Sequence, residues 1–256
     1  MTHLSRPLNL KKSLGQHFLK DELVCRRIID SLRQNSFTQL LEIGPGAGAL
    51  TRDLIAMEGV DFKAVEIDRE KVAYLKSHYP ALNDRIIEMD FLRMGKPFEG
   101  PFTIIGNFPY NISTEILFKV LDWRQDVERV IGMFQKEVAI RIAASEGNKI
   151  YGVTSVLLQA FFKVEYLFEV SEEAFNPPPK VKSAVIRLTP IKEAPPVRTE
   201  KMFFLLVKTA FNQRRKTLRN AVKSLFTDEV LKDPLFNKRA EQLTIQQFAE
   251  LTWKMK

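Results

Sequence analysis

Between residues 21 and 35 apolar side chains recur at helical spacing, with Val24, Ile28 and Leu32 on one face. The rhythm then changes. Short apolar runs at 39–43, 62–67, 85–89 and 102–106 read as strands, and helix-period stretches at 49–57, 69–77 and 114–121 fall between or after them. Strands alternating with helices need crossover connections, so the pattern predicts a parallel sheet with helices on both faces. Two more strands are expected at 127–135 and 181–188. The second follows Pro177-Pro178-Pro179, a stiff extended segment. The pattern fails around 189–199, where Pro190, Pro195 and Pro196 stand in a short polar stretch that reads as a linker. From 201 to 256 apolar positions return at helical spacing with no clear strand. The chain reads as an α/β domain over 1–189 followed by a small all-helical domain over 190–256.

Composition narrows this little. At 45% hydrophobic over 256 residues the chain can bury a full core. No apolar run reaches the roughly 18 residues of a membrane span. The basic N-terminal stretch has no apolar run behind it, which argues against a secretory signal. Cys25 is the single cysteine, so no internal disulfide is possible and a reducing, cytoplasmic setting is expected. His3, His17, His78 and Cys25 have no metal-ligand spacing, and no metal is expected. Lys and Arg number 39 against 31 Asp and Glu, a net charge of +8 that suits a polyanionic partner. Charge alone fits an ordinary basic protein equally well.

The candidate chemistry gathers at the ends of the expected strands. Leu41-Glu42-Ile43-Gly44-Pro45-Gly46-Ala47-Gly48 closes the first sheet strand and opens a helix. Glycines there allow a tight turn and close backbone approach to a ligand. Gly44-x-Gly46-x-x-Ala49 also satisfies a relaxed dinucleotide fingerprint, so the turn alone leaves dinucleotide and S-adenosylmethionine open. Glu66 at the end of the second strand can accept both ribose hydroxyls of either cofactor. Asp90 at the end of the third can accept from an adenine amine, with Phe91 beside the ring, or can simply cap a helix.

The fourth strand runs straight into Asn107-Phe108-Pro109-Tyr110. Asn-Pro turns are common, but this one follows a buried strand in a chain that also has the glycine turn and two acidic strand ends. The residue types suit methylation of a planar, weakly nucleophilic amine. The Asn107 side-chain carbonyl and the Phe108 backbone carbonyl can accept from its two N–H groups and draw it towards a tetrahedral geometry. Pro109 stiffens the run, and Tyr110 offers a face on which a base can stack. A dehydrogenase has no use for such a run.

Five blocks in order resemble the ribosomal small-subunit RNA adenine dimethyltransferases of the kasugamycin-resistance type. They are KKSLGQHFL at 11–19, LEIGPG at 41–46, NFPYNIS at 107–113, AFNPPPKVKS at 174–183 and FNQRRKTLRN at 211–220. The resemblance implies a Rossmann-like class I S-adenosylmethionine-dependent methyltransferase domain and a small helical domain. It implies transfer of two methyls to N6 of each of two adjacent adenosines near the 3′ end of small-subunit ribosomal RNA, within ribosome biogenesis. The implied partner is a 30S-type particle, and the enzyme is expected as a monomer with no membrane association. It further implies cofactor contacts at His17, Leu19, Gly44, Glu66, Asp90 and Asn107. Catalytic roles fall on Asn107, Phe108, Pro109, Tyr110 and Phe175, the last holding the target adenine opposite Tyr110. Read without the resemblance, Phe175 is the more ordinary core aromatic. The chain departs from the family pattern at His17, where Asn is usual; histidine still donates a hydrogen bond but differs in shape and charge.

RNA contacts are expected at Lys208, Arg214, Arg215, Lys216 and Arg219. A helix running over 202–226 would align Lys208, Asn212, Arg215, Arg219 and Lys223 into a basic stripe. Lys11, Lys12, Lys180 and Lys182 are expected to flank the pocket mouth. The alternatives are a macrolide-resistance methyltransferase of large-subunit RNA, a protein glutamine methyltransferase, and an assembly factor that docks on RNA without catalysis. Arg214-Arg215-Lys216 and the Phe175-x-Pro-Pro-Pro run disfavour the first. Phe108, where the glutamine enzymes typically carry Pro, disfavours the second.

Overall fold

The computed structural model describes residues 17–256. By contacts the chain divides into two compact units, one of residues up to Ala139 with Glu165–Pro190, the other of Ile140–Val164 with Ile191–Lys256. One boundary of the division falls after Pro190. The division also assigns 140–164 to the second unit, a segment that a contiguous split at 189 leaves in the first. No element had been expected between 136 and 176.

In the first unit the short strand β1 (Phe18–Leu19) precedes α1 (Glu22–Arg33). The Asp21 carboxylate caps α1 by accepting from the Leu23 and Val24 amides, which satisfies N–H groups that have no partner inside the helix. Its apolar face, Val24, Cys25, Ile28, Ile29 and Leu32, is buried. There follow β2 (Gln39–Ile43), α2 (Thr51–Leu54), β3 (Asp61–Glu66), α3 (Arg69–His78), β4 (Ile86–Glu88), β5 (Phe102–Asn107), α4 (Ser113–Asp122) and β6 (Val127–Gln135). After α5 (Lys136–Ile142) the chain passes into the second unit with α6 (Val153–Gln159), and the first unit resumes along β7 (Phe162–Val170), β8 (Phe175–Asn176) and β9 (Ser183–Pro190). The α/β alternation expected from the sequence is present, with α2 shorter than the 49–57 stretch.

Seven strands form one sheet in the order β4-β3-β2-β5-β6-β9-β7. β4, β3, β2, β5 and β6 pair in parallel, whereas β9 is antiparallel to β6. Chain order reverses between β2 and β5, and crevices at such switch points, beyond the carboxyl ends of the strands, are where ligands of open α/β sheets bind. β1 and β8 make a separate antiparallel pair, Leu19 opposite Phe175.

The second unit is helical: α6, α7 (Glu200–Asn212), α8 (Leu218–Ala221), α9 (Ile245–Thr252) and several 3-10 turns. Phe203, Leu206, Val207 and Ala210 of α7 are buried, and Phe226 meets Phe236 edge-on at 5.0 Å. The continuous helix expected over 202–226 is not there. α7 stops at Asn212, Gln213 leaves helical geometry, and α8 begins only after Thr217. Arg214 lies just past the break. Its side chain donates to the Lys149 carbonyl and faces Glu241 at 3.9 Å, a position reached by turning the chain out of the helix.

Candidate active site

A cavity of about 250 Å³ opens at the carboxyl ends of β2, β3, β4 and β5. His17, Leu19, Gly44, Glu66, Asp90 and Asn107, the six cofactor positions expected from the sequence, all line it. Gly44 turns the chain there at φ +67, a conformation that disfavours residues with a Cβ.

Glu66 is 6% exposed. Its Oε1 accepts from the Ile67 and Asp68 amides, both at 3.0 Å, and its Oε2 lies 3.7 Å from the Lys71 ammonium. Asp90 caps a 3-10 turn through the Leu92 amide at 2.9 Å, while its other oxygen lies 3.6 Å from Arg93. The cap thus occupies one oxygen and leaves the other facing a side chain at the surface. Glu42, also in the cavity lining, is 1% exposed and accepts from Thr51 Oγ1 at 2.7 Å. Burial pushes its carboxyl up to about 8, the Thr51 bond offsetting part of the rise and the negative charge of Glu66 adding to it.

Two lining residues escaped the sequence reading. Ile67 and Met89 stay 55% and 46% exposed although both are large and apolar. They flank the acidic strand ends, Ile67 after Glu66 and Met89 before Asp90. Such surface is unusual to leave in water and suits a flat ring laid between. The only local signal was that these apolar residues run past the strand ends.

The donor set tests the two cofactors. Among the described residues the carboxyls of Glu42, Glu66 and Asp90 line the cavity together with Lys71, which faces Glu66. A molecule with a positively charged sulfur and amine, a ribose diol and an adenine ring fits these groups.

The Asn107-to-Tyr110 run is set by close packing beneath it. Gly106 of β5 pairs with Gly132 of β6. A Cβ on Gly106 would lie 2.5 Å from the Ile43 carbonyl oxygen and 2.7 Å from the Phe108 ring, and one on Gly132 would lie 2.6 Å from that same ring. The two glycines thus make the slot that takes the Phe108 side chain, which is 1% exposed and meets Phe134 edge-on at 5.0 Å. With its ring anchored in the core, the Phe108 backbone is held in a fixed position. Its amide donates to the Met133 carbonyl at 3.2 Å.

Asn107 Nδ2 donates to the His17 carbonyl at 3.1 Å. Among the described residues neither Asn107 Oδ1 nor the Phe108 carbonyl is taken up by a hydrogen bond. These are the two acceptors the sequence suggested. The His17 contact with Asn107 is through the backbone, which tolerates the change from the family's Asn. Its ring Nδ1 contacts the Pro177 carbonyl at 2.9 Å. Because a carbonyl only accepts, Nδ1 carries the proton. The His17 ring lies 5.6 Å from that of Tyr110, tilted by 30°.

The structure does not bring Phe175 to the cavity surface. Its side chain is fully buried in the core with Leu19, Met133 and Val185, and its backbone pairs with β1. Lys180 and Lys182 are exposed, and Lys182 donates to Glu169 at 2.7 Å. Lys11 and Lys12 lie outside the described residues. In the helical unit Lys208, Arg215, Lys216 and Arg219 are exposed and Arg214 is partly so. Arg219 Nε donates to the Leu231 carbonyl at 3.0 Å.

A sheet of this order, with a glycine turn after β2 and acidic ends on β3 and after β4, defines a Rossmann-like class I methyltransferase. The chain belongs to the ribosomal RNA adenine dimethylase family, whose model matches residues 8–254. It is 54% identical over 246 residues to the ribosomal RNA small subunit methyltransferase A of Cytophaga hutchinsonii, covering 94% of this chain and 95% of that protein. Among solved structures it is similar to a dimethyladenosine transferase from Plasmodium falciparum, at 26% identity and TM-score 0.79, over 92% of this chain and 96% of the other. The 23S rRNA methyltransferase ErmE shares the fold at 23% identity and TM-score 0.69, over 93% and 99% of the two chains.

Proposed function

We propose that this protein transfers methyl groups from S-adenosylmethionine to N6 of two adjacent adenosines near the 3′ end of small-subunit ribosomal RNA, two to each. The observation that carries the reading is the Asn107-to-Tyr110 run lining a cavity with acidic strand ends, with neither Asn107 Oδ1 nor the Phe108 carbonyl hydrogen-bonded among the described residues. When bound, S-adenosylmethionine supplies an electrophilic methyl carbon. Glu66 holds the ribose diol, Asp90 the adenine amine, and Ile67 and Met89 the ring faces. The glycine turn at Gly44 leaves room for the amino-acid end.

The target base leaves its stack to reach such a site. Tyr110 stacks on it, and Asn107 and Phe108 accept from its amine, freeing the nitrogen lone pair. Each transfer ends with loss of one proton from nitrogen, and the acidity of an alkylated adenine ammonium makes a strong protein base unnecessary. Positioning is then the main contribution of the site. Phe175 supports it from the core by pairing with Leu19 of β1. Lys208, Arg215 and Lys216 of the helical unit bind RNA phosphates.

The test offers labelled S-adenosylmethionine with undermethylated small and large ribosomal particles. Label on two neighbouring adenosines of the small particle, lost in Asn107→Ala, is the expected result. Label confined to the large particle or to protein would overturn the reading.

A further inference from the structure

Tyr110 is not held by its own loop alone. Its hydroxyl and Ser183 Oγ are 2.5 Å apart in a hydrogen bond that either group can donate. Ser183 begins β9, is fully buried, and sits opposite Gln135 in the sheet. The loop carrying Tyr110 is otherwise tied by short local bonds. The Ile112 amide donates to the Pro109 carbonyl at 3.2 Å, and Ser113 Oγ donates to the Tyr110 carbonyl at the same distance. These bonds set the backbone of a single turn and do not reach the ring, which can still turn about its χ angles beside the His17 ring. Among the described residues the hydroxyl bond is the hydrogen bond that fastens the far end of the ring to a different strand.

We infer that Ser183 is a positioning residue for methyl transfer, fixing the plane of the Tyr110 ring against which the target base stacks. This rests on the reading of Tyr110 as the stacking face. A stacked base follows the plane beneath it, and a swing of that plane carries N6 off the line of attack. Misplacement of about 1 Å is enough to slow a positioned reaction by up to about a hundredfold. Loss of one neutral hydrogen bond corresponds to a smaller effect, about tenfold. Ser183 is fully buried and outside the cavity lining, so its loss acts on turnover through Tyr110 and leaves binding intact. Burial holds the Tyr110 phenol above its usual range, the Ser183 bond offsetting part of that rise. The hydroxyl therefore keeps its proton at neutral pH and can make the bond.

The experiment compares Ser183→Ala, Tyr110→Phe and the double variant on undermethylated small particles. Tyr110→Phe removes the same bond without touching the strand, which guards against a folding defect in Ser183→Ala. The expected result is a fall in kcat of about tenfold in each single variant, no further fall in the double, and KM values within about twofold of the parent. An unchanged kcat in Ser183→Ala, or a double variant slower by the product of the two single effects, overturns the inference. A second measurement reads the tether without turnover, using 3-fluorotyrosine at position 110 and fluorine NMR. The resonance should shift in Ser183→Ala, and an unmoved resonance counts against the tether. If the parent enzyme labels no adenosine, the reading of the site fails, while the fluorine signal still decides whether Ser183 holds the ring.

Discussion

Glu42 is a carboxyl that folding turns from an exposed acid into a buried one. Its proton is held up to about 8 in the folded chain against an ordinary 4.5, chiefly through burial. Below the lower value both states are protonated and the group contributes nothing. Between the two the folded state binds the extra proton, so stability falls as pH rises across that window and levels off above it. Glu42→Gln keeps an acceptor for Thr51 and removes the titration. Denaturant unfolding should show the variant gaining on the parent between pH 5 and pH 9, by on the order of a few kcal/mol. A gap that does not change with pH would show that Glu42 ionises freely. The sequence placed Glu42 in the motif but carried no sign of this environment. Desolvation depends on what covers a residue, and Thr51 and Glu66 reach it only through the fold.

At the level of elements, the parallel strands were legible because strands buried on both faces are apolar throughout, as in Phe102-Thr103-Ile104-Ile105. β7 was not, because as the outer strand of the sheet it is partly exposed along most of its length. The basic stripe was misjudged for a different reason. Helical spacing was extended across 213–217, where Arg214 instead turns to Lys149 and Glu241. The five basic residues therefore separate by role. Arg215→Ala and Lys216→Ala, both at exposed positions with no ion pair among the described residues, should weaken RNA binding. Each should lower the slope of log K against log salt by about one, with the unfolding midpoint unchanged. Arg214→Ala should lower that midpoint, since it removes a carbonyl contact and leaves Glu241 unpaired. Filter binding over a salt series with parallel melts checks both, and an unchanged slope in Arg215→Ala would remove it from the RNA surface.

For the whole molecule, the first unit carries the cavity and the second carries the basic segment 214–216 that follows α7. No helix among the described residues is long and apolar enough to cross a membrane. A ligand that binds only the folded state stabilises it by mass action, about 2.7 kcal/mol at a hundred times Kd. For a chain of this size that amounts to a rise in melting temperature of about 5–10 °C. Calorimetry with saturating S-adenosylmethionine should show it, and Glu66→Gln should shrink it. An equal rise in the variant would take the ribose contact away from Glu66.

By itself the sequence determined the α/β alternation, the glycine turn, the acidic strand ends and the Asn107-to-Tyr110 run. Each is encoded within a few neighbouring residues, through periodicity, φ preference or side-chain chemistry. Only the tertiary structure decided that Gly106 and Gly132 together make the slot for Phe108. It alone buried Phe175 and set Ser183 against Tyr110. It also carried 140–164 into the helical unit and ended α7 at Asn212. These outcomes depend on residues far apart in the chain sharing one space, and a linear pattern of polar and apolar positions holds no record of which residues those are.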